Sequence, residues 1–103
     1  MIKGIGVDIV KISRIKFKIA PRILSDSEMS LFEEMSDIRK KEFLAGRFAI
    51  KEALFKAGIK EHFSSLNIKY NEDNSIYLEN YENVKISISH EKEYAIGYAI
   101  VEN

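Results

Sequence analysis

The sequence predicts an α+β fold in which a long helix packs on one face of a mostly antiparallel sheet. Three observations predict it. Apolar residues alternate with glycine near the start, a helical period dominates the middle of the chain, and four short alternating segments follow from Leu66 onward. At 103 residues the chain fits one domain, residues 1–103, with a single modest core.

Ile5, Val7 and Ile9 alternate with Gly4, Gly6 and Asp8, the period of a strand whose glycine side lets another element come close. Asp8 ends on that side. A connecting helix or turn follows and is interrupted at Pro21. Ser25, with Glu28 three residues on, has the form of a capping box opening a helix that turns Met29, Phe32 and Met35 inward and ends near Ser36. The strongest helical pattern covers residues 43–58, where Phe43, Ile50, Leu54 and Ala57 join Leu44, Phe48 and Phe55 in a wide apolar face and Gly58 is placed as the stop. Glycine inside a helix costs about 1 kcal/mol relative to alanine, so Gly46 predicts a tight approach to the glycine or alanine face of the sheet. That packing would carry Glu52 toward Asp8.

The remaining strands are marked by Leu66, Ile68 and Tyr70, by residues 76–78, by Val84, Ile86 and Ile88, and by Tyr94, Ile96, Tyr98 and Ile100. Residues 71–75 form the clearest turn, and residues 90–93 join the last two strands, leaving His90 at a strand end beside a hairpin loop. In the last strand Ala95, Gly97, Ala99 and Val101 oppose the tyrosine and isoleucine row, so both faces need cover. One layer of helices covers one face; the other is expected to pack against copies of the chain in a homo-oligomer.

Sixteen basic and sixteen acidic residues cancel, but the charge is blocked: +5 over residues 1–24, −5 over 25–38, +5 over 39–60 and −5 over 61–103. The basic opening block, Lys11, Arg14, Lys16, Lys18 and Arg22 interleaved with Ile12, Ile15, Phe17 and Ile19, suits an acidic partner met by steering and apolar anchoring, or else forms a solvated face. The absence of cysteine excludes disulfides, thiolate metal sites and cysteine nucleophiles and agrees with a reducing compartment. Residues 1–10 are apolar but too short to span a bilayer, carry Asp8 and lack a signal-peptide pattern, so a cytoplasmic protein without membrane partners is expected. Gly4 and Gly6 lack the third glycine of a dinucleotide fingerprint. Ser87 and Ser89 share a strand face without a partner for nucleophilic catalysis, and His62 reads as a helix-end or loop residue.

Asp8 and Glu52 are the most informative pair. Brought together, two carboxylates repel by about 4 kcal/mol at roughly 4 Å and an effective dielectric near 20 unless a cation or proton intervenes. Magnesium accepts one or two carboxylates and fills its octahedron with water and substrate phosphates. Glu52 is also bracketed by Arg47, Lys51 and Lys56, so a hard-cation ligand lies among phosphate-seeking charges, a combination suited to a magnesium diphosphate. Taken singly, Asp8 reads first as an ordinary turn residue and Glu52–Lys56 as an ordinary helix pair, while His90 is either a phosphate contact, a proton shuttle or structural. A noncatalytic RNA-binding module is a rival opposed by balanced charge and by Glu52 among the cations, so no nucleic-acid partner is expected.

GIGVDIVKISRI at the start, ILSDSE at residues 23–28, FLAGRFAIKEALFKA in the middle and SISHEKEYAIG near the end together resemble the holo-[acyl-carrier-protein] synthase family, the small bacterial 4'-phosphopantetheinyl transferases. The resemblance implies that fold and transfer of 4'-phosphopantetheine from coenzyme A to a serine of apo acyl carrier protein for fatty acid biosynthesis, with release of adenosine 3',5'-bisphosphate. By the same resemblance Asp8 and Glu52 match the metal ligands for Mg2+, and Lys56 matches a lysine on the reacting diphosphate. Glu52 itself, or a water held at the metal site, is the candidate general base. Arg47 and His90 match positions near the nucleotide and its 3'-phosphate, and Arg14 matches a basic position that meets the acidic carrier. The family is a homotrimer with active sites between subunits. A degenerate member binding only coenzyme A or a carrier protein is the alternative. This chain departs from the family pattern in a shorter segment after Lys16, in a glycine-rich stretch after Ala57 reduced to Gly58, Ile59 and Lys60, and in a turn at residues 71–75 that replaces a Gly-Lys-Pro turn.

Overall fold

The structure, a computed structural model, describes residues 1–103. Strand β1 (Ile2–Lys11) leads through two 3-10 turns (Ile12–Arg14 and Phe17–Ile19) into helices α1 (Ala20–Ile23), α2 (Asp26–Glu33) and α3 (Asp37–Lys56). A 3-10 turn (Phe63–Ser65) precedes β2 (Ile68–Tyr70), β3 (Ile76–Leu78), β4 (Val84–His90) and β5 (Tyr94–Glu102). An antiparallel sheet in the order β1-β5-β4 carries α3 on one face, and β2 and β3 form a separate antiparallel ribbon. The predicted class is therefore the observed one.

Local chemistry accounts for the boundaries. Ser25 caps α2 with a full capping box: its hydroxyl accepts from the Glu28 amide at 3.3 Å, and its own amide donates to Glu28 Oε1 at 3.0 Å. Helix α3 starts six residues before the predicted Phe43, because the Ser36 hydroxyl caps the Arg39 amide at 3.2 Å. Its first turn escaped the apolar period because it projects into water; Ile38 is 79% exposed. Pro21 does not interrupt a helix but occupies the first turn of α1, where its missing amide is tolerated. Gly58 stops α3 with φ +114°, a conformation that favours glycine.

The glycine face works as expected in β1 and differently in α3. A Cβ on Gly4 would collide with the Ala57 carbonyl and one on Gly6 with the Ala53 carbonyl, and a Cβ on Gly97 would lie 2.5 Å from the Ile50 backbone. Small residues on both partners let the backbones of α3, β1 and β5 touch. Gly46 is not the residue that permits this contact: a Cβ there would meet only the Ile88 side chain, at 3.2 Å. The close approach predicted for the strand glycines is observed, and the one predicted for the helix glycine is not.

Behind this contact Leu44, Ala45, Ala49, Ile50, Ala53 and Leu54 are fully buried. Across the sheet nothing covers the other face. The register sets Ile5 opposite Ile100, Val7 opposite Tyr98 and Ile9 opposite Ile96, and Ile5, Val7 and Ile9 are each more than half exposed. No helix is long and apolar enough to cross a membrane.

Gly6→Ala should lower the unfolding free energy by about 3 kcal/mol in chemical denaturation at fixed protein concentration, because the helix must lift off the sheet. Gly46→Ala should change it by less than about 1 kcal/mol, since the helical gain offsets a small shift of Ile88. Equal effects of the two substitutions would contradict the packing described.

Candidate active site

Asp8 shares the face of β1 that carries Gly4 and Gly6 and pairs with Gly97 in the register. Past the glycines the strand regains a side chain just where the polar edge of α3 passes over it. Lys56 Nζ donates to Asp8 Oδ1 at 3.1 Å and to the Val7 carbonyl at 3.1 Å. Glu52, one turn back on α3, lines one cleft with Asp8, Lys11, Arg14 and Phe48. The 3-10 turn after β1 brings Arg14 there: Ile12 and Ile15 are buried, and the Ile12 amide donates to the Glu93 carbonyl at 2.9 Å. Asp8, Glu52, Lys56 and Arg14 thus meet within one protomer.

The donor set fits a hard cation held in an open site. The Asp8 carboxylate is 19% exposed, and Lys56 occupies only its Oδ1; Glu52 has neither a hydrogen-bonding nor an ionic partner in the protein. No cluster of three or more acidic or histidine side chains forms a closed cage. Two carboxylates with a lysine beside them leave most coordination positions to water and a phosphate ligand, as magnesium prefers.

Arg47 and His90 lie elsewhere, at the β4 edge of the sheet, where with Tyr70, Ser87 and Arg39 they line a second pocket between α3, the β2–β3 ribbon and β4. Arg47 is only 4% exposed. Its Nη2 donates to the Tyr70 hydroxyl at 3.1 Å, its guanidinium lies 4.3 Å from the Phe43 ring centroid, and its buried Nε has no hydrogen-bond partner. Within one protomer the candidate residues therefore form two groups, at opposite edges of the sheet.

Two readings of charge are corrected. Lys51 is not a phosphate-seeking surface cation: it is fully buried, its Nζ facing Glu28 Oε1 at 2.6 Å and the carbonyls of Ile23 and Leu66 at 2.8 Å and of Phe63 at 3.0 Å. Burial pulls its ammonium below the ordinary lysine value, and the Glu28 carboxylate opposes that shift. Glu28 Oε2 also accepts from the Ile68 amide at 2.8 Å, so the pair ties α2 and α3 to the ribbon. In the basic opening block, Ile12 and Ile15 are core residues; Phe17 alone among the proposed apolar anchors is well exposed, edge-on to Phe32. Tyr70 went unnoticed as a site residue because in sequence it is one more aromatic strand residue.

Comparison with known proteins identifies the family. The model of the 4'-phosphopantetheinyl transferase superfamily matches residues 4–99. The holo-[acyl-carrier-protein] synthase of Mycoplasma mycoides subsp. mycoides SC is 42% identical over 104 residues, covering 97% of this chain and 94% of that protein. That of Anoxybacillus flavithermus is 42% identical over 116 residues, covering 99% and 97%. The crystal structure of a holo-(acyl-carrier-protein) synthase from Bacillus anthracis in complex with CoA (3',5'-ADP) superposes with a TM-score of 0.90 at 34% identity, covering 100% of this chain and 98% of that one. With the family model, the near-complete coverage of relatives and the fold in agreement, the chain belongs to the 4'-phosphopantetheinyl transferase superfamily.

Proposed function

We propose that this chain, acting as one domain over residues 1–103, transfers the 4'-phosphopantetheine arm of coenzyme A to a serine hydroxyl of an apo acyl carrier protein and releases adenosine 3',5'-bisphosphate. The observation that carries the reading is the cleft in which Asp8 and Glu52 meet beside Lys56 and Arg14. Family membership supplies the reaction class, and the cysteine-free composition suits a reducing cytoplasm.

Asp8 and Glu52 would hold Mg2+. Bound there, the ion supplies charge neutralisation to a diphosphate and to the departing nucleotide. Lys56 bonds Asp8 and the Val7 carbonyl, and its ammonium beside that carboxylate would meet the same diphosphate. The carrier serine attacks the β-phosphorus in line, the bond from that phosphorus to the bridging oxygen breaks, and charge gathers on the 5'-phosphate of the nucleotide, where Lys56 stabilises it. The serine proton passes to the Glu52 carboxylate, directly or through one water. Arg14, at the cleft mouth, receives the acidic face of the carrier.

Arg47 and His90 hold the nucleotide end of coenzyme A, at its 3'-phosphate. Their separation from Asp8 and Glu52 within a protomer, and the uncovered apolar face of β1 and β5, support a homotrimer in which the Arg47 pocket of one subunit adjoins the Asp8 cleft of the next. Burying Ile5, Val7 and Ile9 against a neighbour supplies the apolar driving force.

Protein, apo acyl carrier protein, coenzyme A and magnesium together should yield carrier heavier by one phosphopantetheine arm in mass spectrometry, and a chelator should abolish the addition. Asp8→Ala and Glu52→Ala should each lower the rate by at least about 100-fold while leaving a folded protein; full activity in either variant would remove the cleft from the reaction. Arg14→Glu should raise the KM for carrier about tenfold with little change in kcat, and an unchanged KM would count against the docking role.

A further inference from the structure

The Arg47 pocket contains a hydroxyl that the proposed reaction does not yet use. Arg47 itself is held almost rigidly: stacked on Phe43 at 4.3 Å, within 5.6 Å of the Tyr70 ring centroid, and with Nε 3.8 Å from Glu28 Oε2. A guanidinium recessed in this way presents little of itself to the pocket. Tyr70 is different. It is 44% exposed, it ends β2 at the pocket wall beside His90, Ser87 and Arg39, and its hydroxyl accepts the Arg47 Nη2 proton at 3.1 Å. Having accepted, the phenol keeps its own O–H to give, and no protein group takes it. A hydroxyl polarised by a cation behind it is a stronger donor than a free one. Arg39 and Glu42 at the pocket are paired with each other at 3.7 Å, so the free donor on the Tyr70 side of the wall is left to meet an anion.

We propose that Tyr70 is a further binding residue of this pocket: its hydroxyl donates to an oxygen of the ligand's phosphate monoester and passes on the charge of the recessed Arg47. The inference rests on the reading of the pocket as the site of the 3'-phosphate of coenzyme A. It adds a residue, carried on the ribbon instead of α3 or the main sheet, to the groups that distinguish coenzyme A from its 3'-dephospho form.

Tyr70→Phe removes the O–H and keeps the ring beside Arg47. Steady-state transfer by wild type and by this variant is measured with coenzyme A and with 3'-dephospho-coenzyme A, alongside calorimetric titration of adenosine 3',5'-bisphosphate and adenosine 5'-monophosphate. The expected result is a rise of about tenfold in the KM for coenzyme A, as for loss of a hydrogen bond to a charged group, with kcat and the KM for the dephospho form unchanged. Affinity for the bisphosphate should fall by the same factor and that for the monophosphate should not. If wild type distinguishes the two cofactors and Tyr70→Phe distinguishes them equally well, the Tyr70 assignment is wrong while the pocket reading stands. A parallel rise in both KM values reveals a role in the fold only and also overturns the proposal. Wild type that transfers without distinguishing the cofactors removes the phosphate from the pocket and the proposal with it. If no transfer occurs at all, the reaction reading fails, and the titrations alone decide whether Tyr70 holds a phosphate monoester.

Discussion

The contact on which the structure depends is backbone against backbone. Helix α3 lies so close to β1 and β5 that Gly4, Gly6 and Gly97 have no room for a Cβ, and the helix answers with Ala49, Ala53 and Ala57. At ordinary helix–sheet spacing the side chains between would form a thick apolar layer, and groups on the two elements would be held apart. Here the layer is missing along one line. Where that line ends, at Asp8, the first side chain on this face of the strand reaches directly to Lys56 and enters the same cleft as Glu52. The glycines therefore determine the site without touching any ligand.

One helix then serves three environments through its phase alone. Successive residues are turned about 100° apart, so neighbours in sequence do not share a face. Glu52 and Lys56 follow one edge toward β1, Arg47 lies toward β4 and the ribbon, and Lys51 points into the core. The buried Lys51–Glu28 pair is satisfied by three main-chain carbonyls and two amides besides, which offsets the cost of removing two charges from water. Its partners come from α1, α2, the turn before β2 and β2 itself. The ribbon that carries Tyr70 is thus fixed to the same helix that carries Arg47.

Much of this was legible in the sequence. Period-two alternation gave β1 and β5, the Ser25 and Glu28 pair gave the start of α2, and Gly58 gave the end of α3, because each depends on neighbours close in the chain. What escaped depends on distant partners. Nothing near Lys51 announces that it meets Glu28, 23 residues away, so it read as one more basic residue beside Glu52. The tight approach was inferred correctly at Gly4 and Gly6 but was also assigned to Gly46 and missed at Gly97, since a helix glycine is conspicuous by propensity and Gly97 is one small residue in an alternating strand. Resemblance placed Arg47 and His90 in the same reaction as Asp8 and Glu52; that they occupy opposite edges of a protomer is a property of the sheet order, which no local pattern records. Tyr70 becomes visible only when β2 is seen to lie against Arg47.

The central claim is that Asp8 and Glu52 act as a pair on one divalent ion. Manganese(II), a paramagnetic substitute for magnesium at oxygen sites, can be titrated into the protein in the presence of coenzyme A and followed by electron paramagnetic resonance. The account predicts a single tight site per protomer, lost in Asp8→Asn and lost equally in Glu52→Gln. Undiminished manganese binding when both carboxylates are replaced would contradict it.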